Sequence, residues 1–95
     1  MVPVAGIETA GQLDVSIYPN PSRGNFNIAI NSSDKVSAAQ VDITNEYGQS
    51  VYRRSASNNN GVVELKVNNN LANGIYMVTC TVGTEKITKR LVINR

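Results

Sequence analysis

The sequence predicts an all-β fold, a sandwich of two antiparallel sheets, and three observations carry that prediction. Apolar residues recur at period two in seven separate stretches, the pattern of strands with one buried face. Clusters of Gly, Pro, Asn and Ser separate these stretches at regular intervals. No stretch shows a helical period. A chain of 95 residues makes one domain with one modest core. The single cysteine, Cys80, excludes an internal disulfide, so that core must hold without a staple.

Residues 1–12 contain Pro3, Gly6 and Gly11, show no period, and read as a flexible linker before a domain at 13–95. The first strand covers 13–17, with Leu13, Val15 and Ile17 apolar and Asp14 and Ser16 polar. Then comes Tyr18-Pro19-Asn20-Pro21-Ser22-Arg23-Gly24. Each proline fixes φ at about −65° and removes a backbone donor. Each also drives the residue before it toward extended geometry. The result is a stiff corner, from which Gly24 lets the chain turn back. The second strand, 26–31, points Phe26, Ile28 and Ile30 to one face.

Ser32-Ser33-Asp34-Lys35 is a polar loop, and the third strand at 38–44 buries Ala39, Val41 and Ile43. Asn45-Glu46-Tyr47-Gly48 is a turn in which Gly48 takes positive φ. The fourth strand, 49–55, has the weakest pattern and reads as half-exposed or an edge. Asn58-Asn59-Asn60-Gly61 suits a loop tip, because asparagine tolerates left-handed geometry. The fifth strand, 62–67, points Val63, Leu65 and Val67 inward. In the following loop Leu71 is the apolar anchor. The sixth strand, 75–82, is the strongest, with Tyr76, Val78, Cys80 and Val82 on one face. Gly83-Thr84 fits a two-residue hairpin. In the seventh strand, 86–94, Ile87, Leu91 and Ile93 share a parity that Lys89 breaks. Seven short strands in this order point to an immunoglobulin-like β-sandwich; a small open barrel is the alternative.

Composition removes most catalytic chemistry. Without histidine there is no Ser-His-Asp or Cys-His site, and the commonest zinc ligand is missing. Cys80 has core parity and reads as a structural thiol. The acids are scattered singly, which gives neither a calcium loop nor a paired glycosidase site. The expectation is a non-catalytic domain with no cofactor and no metal. Net charge of +2 is too small to argue for nucleic acid. Its distribution says more: Lys86, Lys89, Arg90 and Arg95 place four cations in the last ten residues, with no acid among them. The plainest reading of that cluster is an edge strand protected by charge. No apolar run approaches the roughly 20 residues of a membrane span. Residues 1–6 lack the basic start and sustained apolar run of a signal peptide. The expectation is either a cytosolic protein or, better, an excised fragment of a longer chain. Tyr18, Tyr47 and Tyr52 are candidate exposed rings for a sugar-binding surface, whereas Phe26 and Tyr76 have core parity.

The elements in order are Tyr18-Pro19-Asn20-Pro21 with Gly24, then Val41-Asp42-Ile43 before Tyr47-Gly48-Gln49-Ser50-Val51. Leu71-Ala72-Asn73-Gly74-Ile75-Tyr76 and Lys89-Arg90-Leu91-Val92-Ile93 complete them. Taken together, over residues 13–95, they resemble the C-terminal sorting domain (type A) of type IX secretion cargo. The resemblance implies a domain that directs its parent across the outer membrane of a Gram-negative bacterium after a signal peptide has taken it to the periplasm. The implied partners are an outer-membrane translocon, a cell-surface sortase of cysteine-protease type, and a cargo domain N-terminal in the same chain. The sortase removes the domain; the cargo is linked to anionic lipopolysaccharide or released. The domain is then a substrate without activity of its own, found at the cell surface or outside the cell.

On this resemblance the signal lies in Gly74, Tyr76, Lys89, Arg90, Leu91, Val92 and Ile93. Pro19, Asn20, Pro21 and Gly48 define the fold's corner and turn. Gly74 also reads as a loop-ending glycine of positive φ, and Tyr76 as a core residue. Lys89 and Arg90 are adjacent on a strand, so they point to opposite faces and at least one is exposed. Cleavage is expected within residues 1–12. The alternative function is an immunoglobulin-like adhesion or carbohydrate-binding module of a surface protein, which would depend on Tyr18, Tyr47 or Tyr52 and ignore the last strand. An inert spacer would tolerate changes at both places.

Overall fold

A computed structural model describes residues 13–68 and 70–95. Its strands are β1 (Leu13–Tyr18), β2 (Asn25–Ser32), β3 (Ala39–Thr44), β4 (Ser50–Ala56), β5 (Val62–Asn68), β6 (Gly74–Val82) and β7 (Glu85–Ile93). All seven expected stretches form strands, because period-two patterning over one buried face leaves the backbone few other solutions. The leader at 1–12 lies outside the described residues.

The strands make a three-stranded sheet, β1-β2-β5, and a four-stranded sheet, β4-β3-β6-β7. Every pairing is antiparallel. The two sheets are separate, which selects the sandwich over the barrel. Their inner faces supply the core, with Ile28, Ile30, Ile43, Val78 and Leu91 wholly buried and Ile93 nearly so. Burying an aliphatic side chain of this kind contributes about 1.5–3 kcal/mol. Cys80 is among the wholly buried residues, and burial pushes its thiol up to about 11. It is a core residue and a poor nucleophile. β4 is an edge strand with no fully buried residue, as its weak pattern suggests.

The topology sorts the loops to two poles. Leu13 pairs with Ser32, so the chain enters β1 beside loop 33–38, loop 57–61 and the Gly83-Thr84 hairpin. Asn58 fastens this pole, donating to Asp34 O at 2.8 Å and Ser37 O at 2.9 Å while accepting from Gly61 N at 2.7 Å. Asn60 (φ 56°) takes the left-handed geometry that the asparagine run suggested. The opposite pole holds the proline corner, the turn after β3 and the end of β7. There Gly48 has φ 81°, and the Asn45 side chain accepts from Tyr47 N and Gln49 N at 2.9 and 3.0 Å.

Candidate recognition site

β7 is an edge strand, and its two halves are treated differently by the rest of the chain. The proline corner, leaving β1, crosses to the outer edge of β7 before returning to β2. Both of its X-Pro bonds, Tyr18-Pro19 and Asn20-Pro21, are cis. Between the prolines, the Asn20 amide acts as a short substitute for a strand: Nδ2 donates to Arg90 O at 2.7 Å, and Oδ1 accepts from Val92 N at 3.0 Å. Ser22 continues the pairing through its backbone. Its N–H donates to Val92 O at 2.8 Å, and its carbonyl accepts from Asn94 N at 2.7 Å. The Ser22 hydroxyl, buried, accepts from Gly24 N and donates to Asn25 O, both at 3.0 Å. Buried polar groups need such partners, because an unpaired one costs about 1–3 kcal/mol.

Arg95 fastens the same pole. Its guanidinium donates to Leu71 O through Nε (3.1 Å) and Nη2 (2.7 Å), and to Arg23 O through Nη1 (3.0 Å). Its backbone N–H donates to Asn73 Oδ1 at 2.9 Å. Gly24 makes room for this: a Cβ there would stand 2.6 Å from Nη1, and φ is +112°. Leu71, packed against the core, is the anchor of its loop and also the acceptor for Arg95.

The residues expected to carry recognition divide sharply. Leu91 and Ile93 are buried core residues. Tyr76 is buried too, and its hydroxyl donates to Ala72 O at 2.7 Å. Gly74 begins β6 with φ 159°, next to the extended range, and a Cβ there would meet the Tyr76 ring at an ordinary 3.8 Å. It holds the expected position after the loop, but its geometry is nearer to strand than to a left-handed turn. Lys89 and Arg90 are both exposed, and Val92 is half-buried. Arg90 and Val92 lie on the outer face of the four-stranded sheet, across from Met77 and Ile75 respectively. Met77 and Ile75 are exposed at 40% and 47%, so an apolar patch adjoins the cation. Lys89 has the inward parity of Leu91, yet it reaches solvent at the flank of this edge strand.

The basic cluster therefore splits by role. Arg95 is tied into the fold. The side chains of Lys86, Lys89 and Arg90 have no ion pair or hydrogen-bond partner among the described residues. The same sheet's other outward cation, Arg53, is 3.6 Å from Asp42. Pro19 and Pro21 frame Asn20 at the covered edge, and Gly48 serves the turn at the same pole. Sequence reasoning missed Ser22, whose one signal was its place between Pro21 and Gly24.

The three tyrosines proposed for a sugar surface do not share a face. Tyr18 lies on the outer side of the three-stranded sheet, Tyr47 at a turn, and Tyr52 packs against the core. Among the described residues no three His, Cys, Asp or Glu side chains converge as metal ligands, and no helix is long and apolar enough to cross a membrane.

Comparison with known proteins bears on this geometry directly. Residues 16–94 match a family described as the secretion system C-terminal sorting domain. The match runs from β1 through the corner to the residue after β7. A curated relative, ulvan lyase NLR42 of Nonlabens ulvanivorans, is 30% identical over 81 residues. The alignment covers 84% of this chain and 14% of the lyase, so the chain spans a small part of that relative's length.

Proposed function

The chain belongs to the type IX secretion system C-terminal sorting domain family, and on that premise we propose that it directs a parent protein across the outer membrane and is then removed by a surface sortase. The observation that carries this reading is the family match over 16–94, which takes in both the corner and the strand it covers. The alignment with 14% of an ulvan lyase fits a small sorting module joined to a larger secreted cargo. The cargo lies N-terminal to residue 13 and is delivered through the periplasm to the cell surface or the medium. The outer-membrane translocon reads the folded sandwich through Lys89 and Arg90. Gly74, Tyr76, Leu91, Val92 and Ile93 act by holding those two in place. The sortase cuts within residues 1–12.

The test is an export assay. A periplasm-targeted fluorescent protein is fused ahead of residues 1–95 in a bacterium with this secretion system and compared with the reporter alone. Export of the fusion to the surface or medium is expected, and the released reporter should end within residues 1–12 by C-terminal peptide mapping. A fusion that stays folded in the periplasm overturns the proposal.

A further inference from the structure

The covered half of β7 shows which of its backbone groups face away from β6. Arg90 O, Val92 N and O, and Asn94 N all meet the corner. In an antiparallel strand both backbone groups of a residue point the same way, and the direction alternates. The N–H and C=O of Lys86 and Thr88, and the N–H of Arg90, therefore also point outward. None of them has a partner among the described residues. The corner stops at Arg90, and among the described residues the edge beyond it is bare.

Charge surrounds this bare stretch. Lys86 and Arg90 stand on the outer face, and Lys89 on the opposite flank. The acid on the strand is Glu85, half-buried at its start. A second copy of the chain pairing antiparallel about Thr88 would set Lys86 against Arg90, and directly opposed like charges destabilise a ladder. Self-association at this edge is thus disfavoured. A strand with acidic side chains has the reverse relation. It would meet open donors and acceptors, cations on both sides, and the exposed Ile75 and Met77 beside Arg90.

Resting on the sorting reading above, we propose that the bare edge of β7 at Lys86–Arg90 docks an extended acidic segment of the secretion machinery by strand addition. The main chain supplies the affinity in this mode, and the alternating side chains supply the choice of partner. The cations then act twice, refusing a second copy and drawing the partner in.

The export assay separates the proposal from the reading beneath it when four fusions are compared. Thr88→Pro removes the outward N–H at the centre of the bare edge, a position where an edge strand tolerates proline. Thr79→Val, on β6, removes the hydroxyl bonded to Thr88 at 3.1 Å and leaves the β7 edge intact. Combined Lys86→Glu, Lys89→Glu and Arg90→Glu reverses the charge. Thermal melts of each purified domain check folding. Wild type and T79V should be exported alike, while T88P and the reversed variant should melt as folded domains and fall about tenfold or more in export. If wild type is exported and both folded variants follow it, strand addition is wrong and the sorting function stands. If T88P melts early, the charge-reversed variant decides alone. If wild type itself is retained, the sorting reading fails and this proposal falls with it.

Discussion

The two halves of β7 meet different surroundings. From the Arg90 carbonyl to Asn94 N its outer edge is paired by Asn20 and Ser22, and Leu91 and Ile93 fill the core. From Lys86 to the Arg90 N–H and side chain the edge is open among the described residues, and only Ile87 packs against the core. One half contributes stability and the other presents charge. An exposed edge is an aggregation hazard that proteins usually cover or charge. Here both remedies appear on one strand, end to end. The lesson is that a contiguous motif, Lys89-Arg90-Leu91-Val92-Ile93, need not have one role. Alternation sends its members to the core, to the outer face and to solvent.

The largest effect that would test this division is at the core of the covered half. Leu91→Asp buries a carboxylate in the sandwich and should cost about 3 kcal/mol or more, unfolding this small domain in a denaturant titration. Next come the fasteners. Ser22→Ala leaves Gly24 N and Asn25 O short of a partner at a buried site and should cost about 1–3 kcal/mol. Asn20→Ala should cost about 1 kcal/mol, since its partners are at an exposed edge that water can reach. Gly24→Ala should cost about 1–2 kcal/mol from its positive φ and from the guanidinium in its way. Paired with Arg95→Ala, the loss should be less than additive, because the obstruction has gone.

A smaller effect belongs to the opposite pole. Asp34 accepts from Ser37 N at 2.9 Å and Val36 N at 3.0 Å, and these bonds hold its carboxyl below the ordinary 3.8. The folded state thus favours the ionised form. Its contribution is present above pH 3.8 and is lost as pH falls through the lowered folded value. The gap in urea midpoint between wild type and Asp34→Ala should narrow as pH drops below 3.8, and neither protein should differ in export.

Much of this fold was legible from alternation alone. The seven strands, the edge character of β4, the glycine at position 48 and the hairpin at Gly83-Thr84 all follow from local pattern. What was not legible depends on contacts far apart in the chain. Asn20 meets Arg90 at a separation of 70 residues, and no periodicity encodes that meeting. The same limit hid Ser22, which looks like an ordinary turn serine until the corner is laid on β7. It also made four cations look alike. Only the topology puts Arg95 against Gly24 and Leu71 and leaves Lys86, Lys89 and Arg90 in solvent. Lys89 carries a subtler point: parity aimed it inward, and the edge position of β7 freed it.

The smallest expected change in stability gives the most direct test. Lys89→Ala with Arg90→Ala removes two exposed side chains and should shift stability by no more than about 0.5 kcal/mol. Fused behind the periplasmic reporter, this double variant should melt with wild type yet remain inside the cell, because the half of β7 that presents charge has been stripped while the half that stabilises is intact. Export at the wild-type level by a domain lacking both side chains would contradict the central claim that recognition resides in the exposed half of this strand.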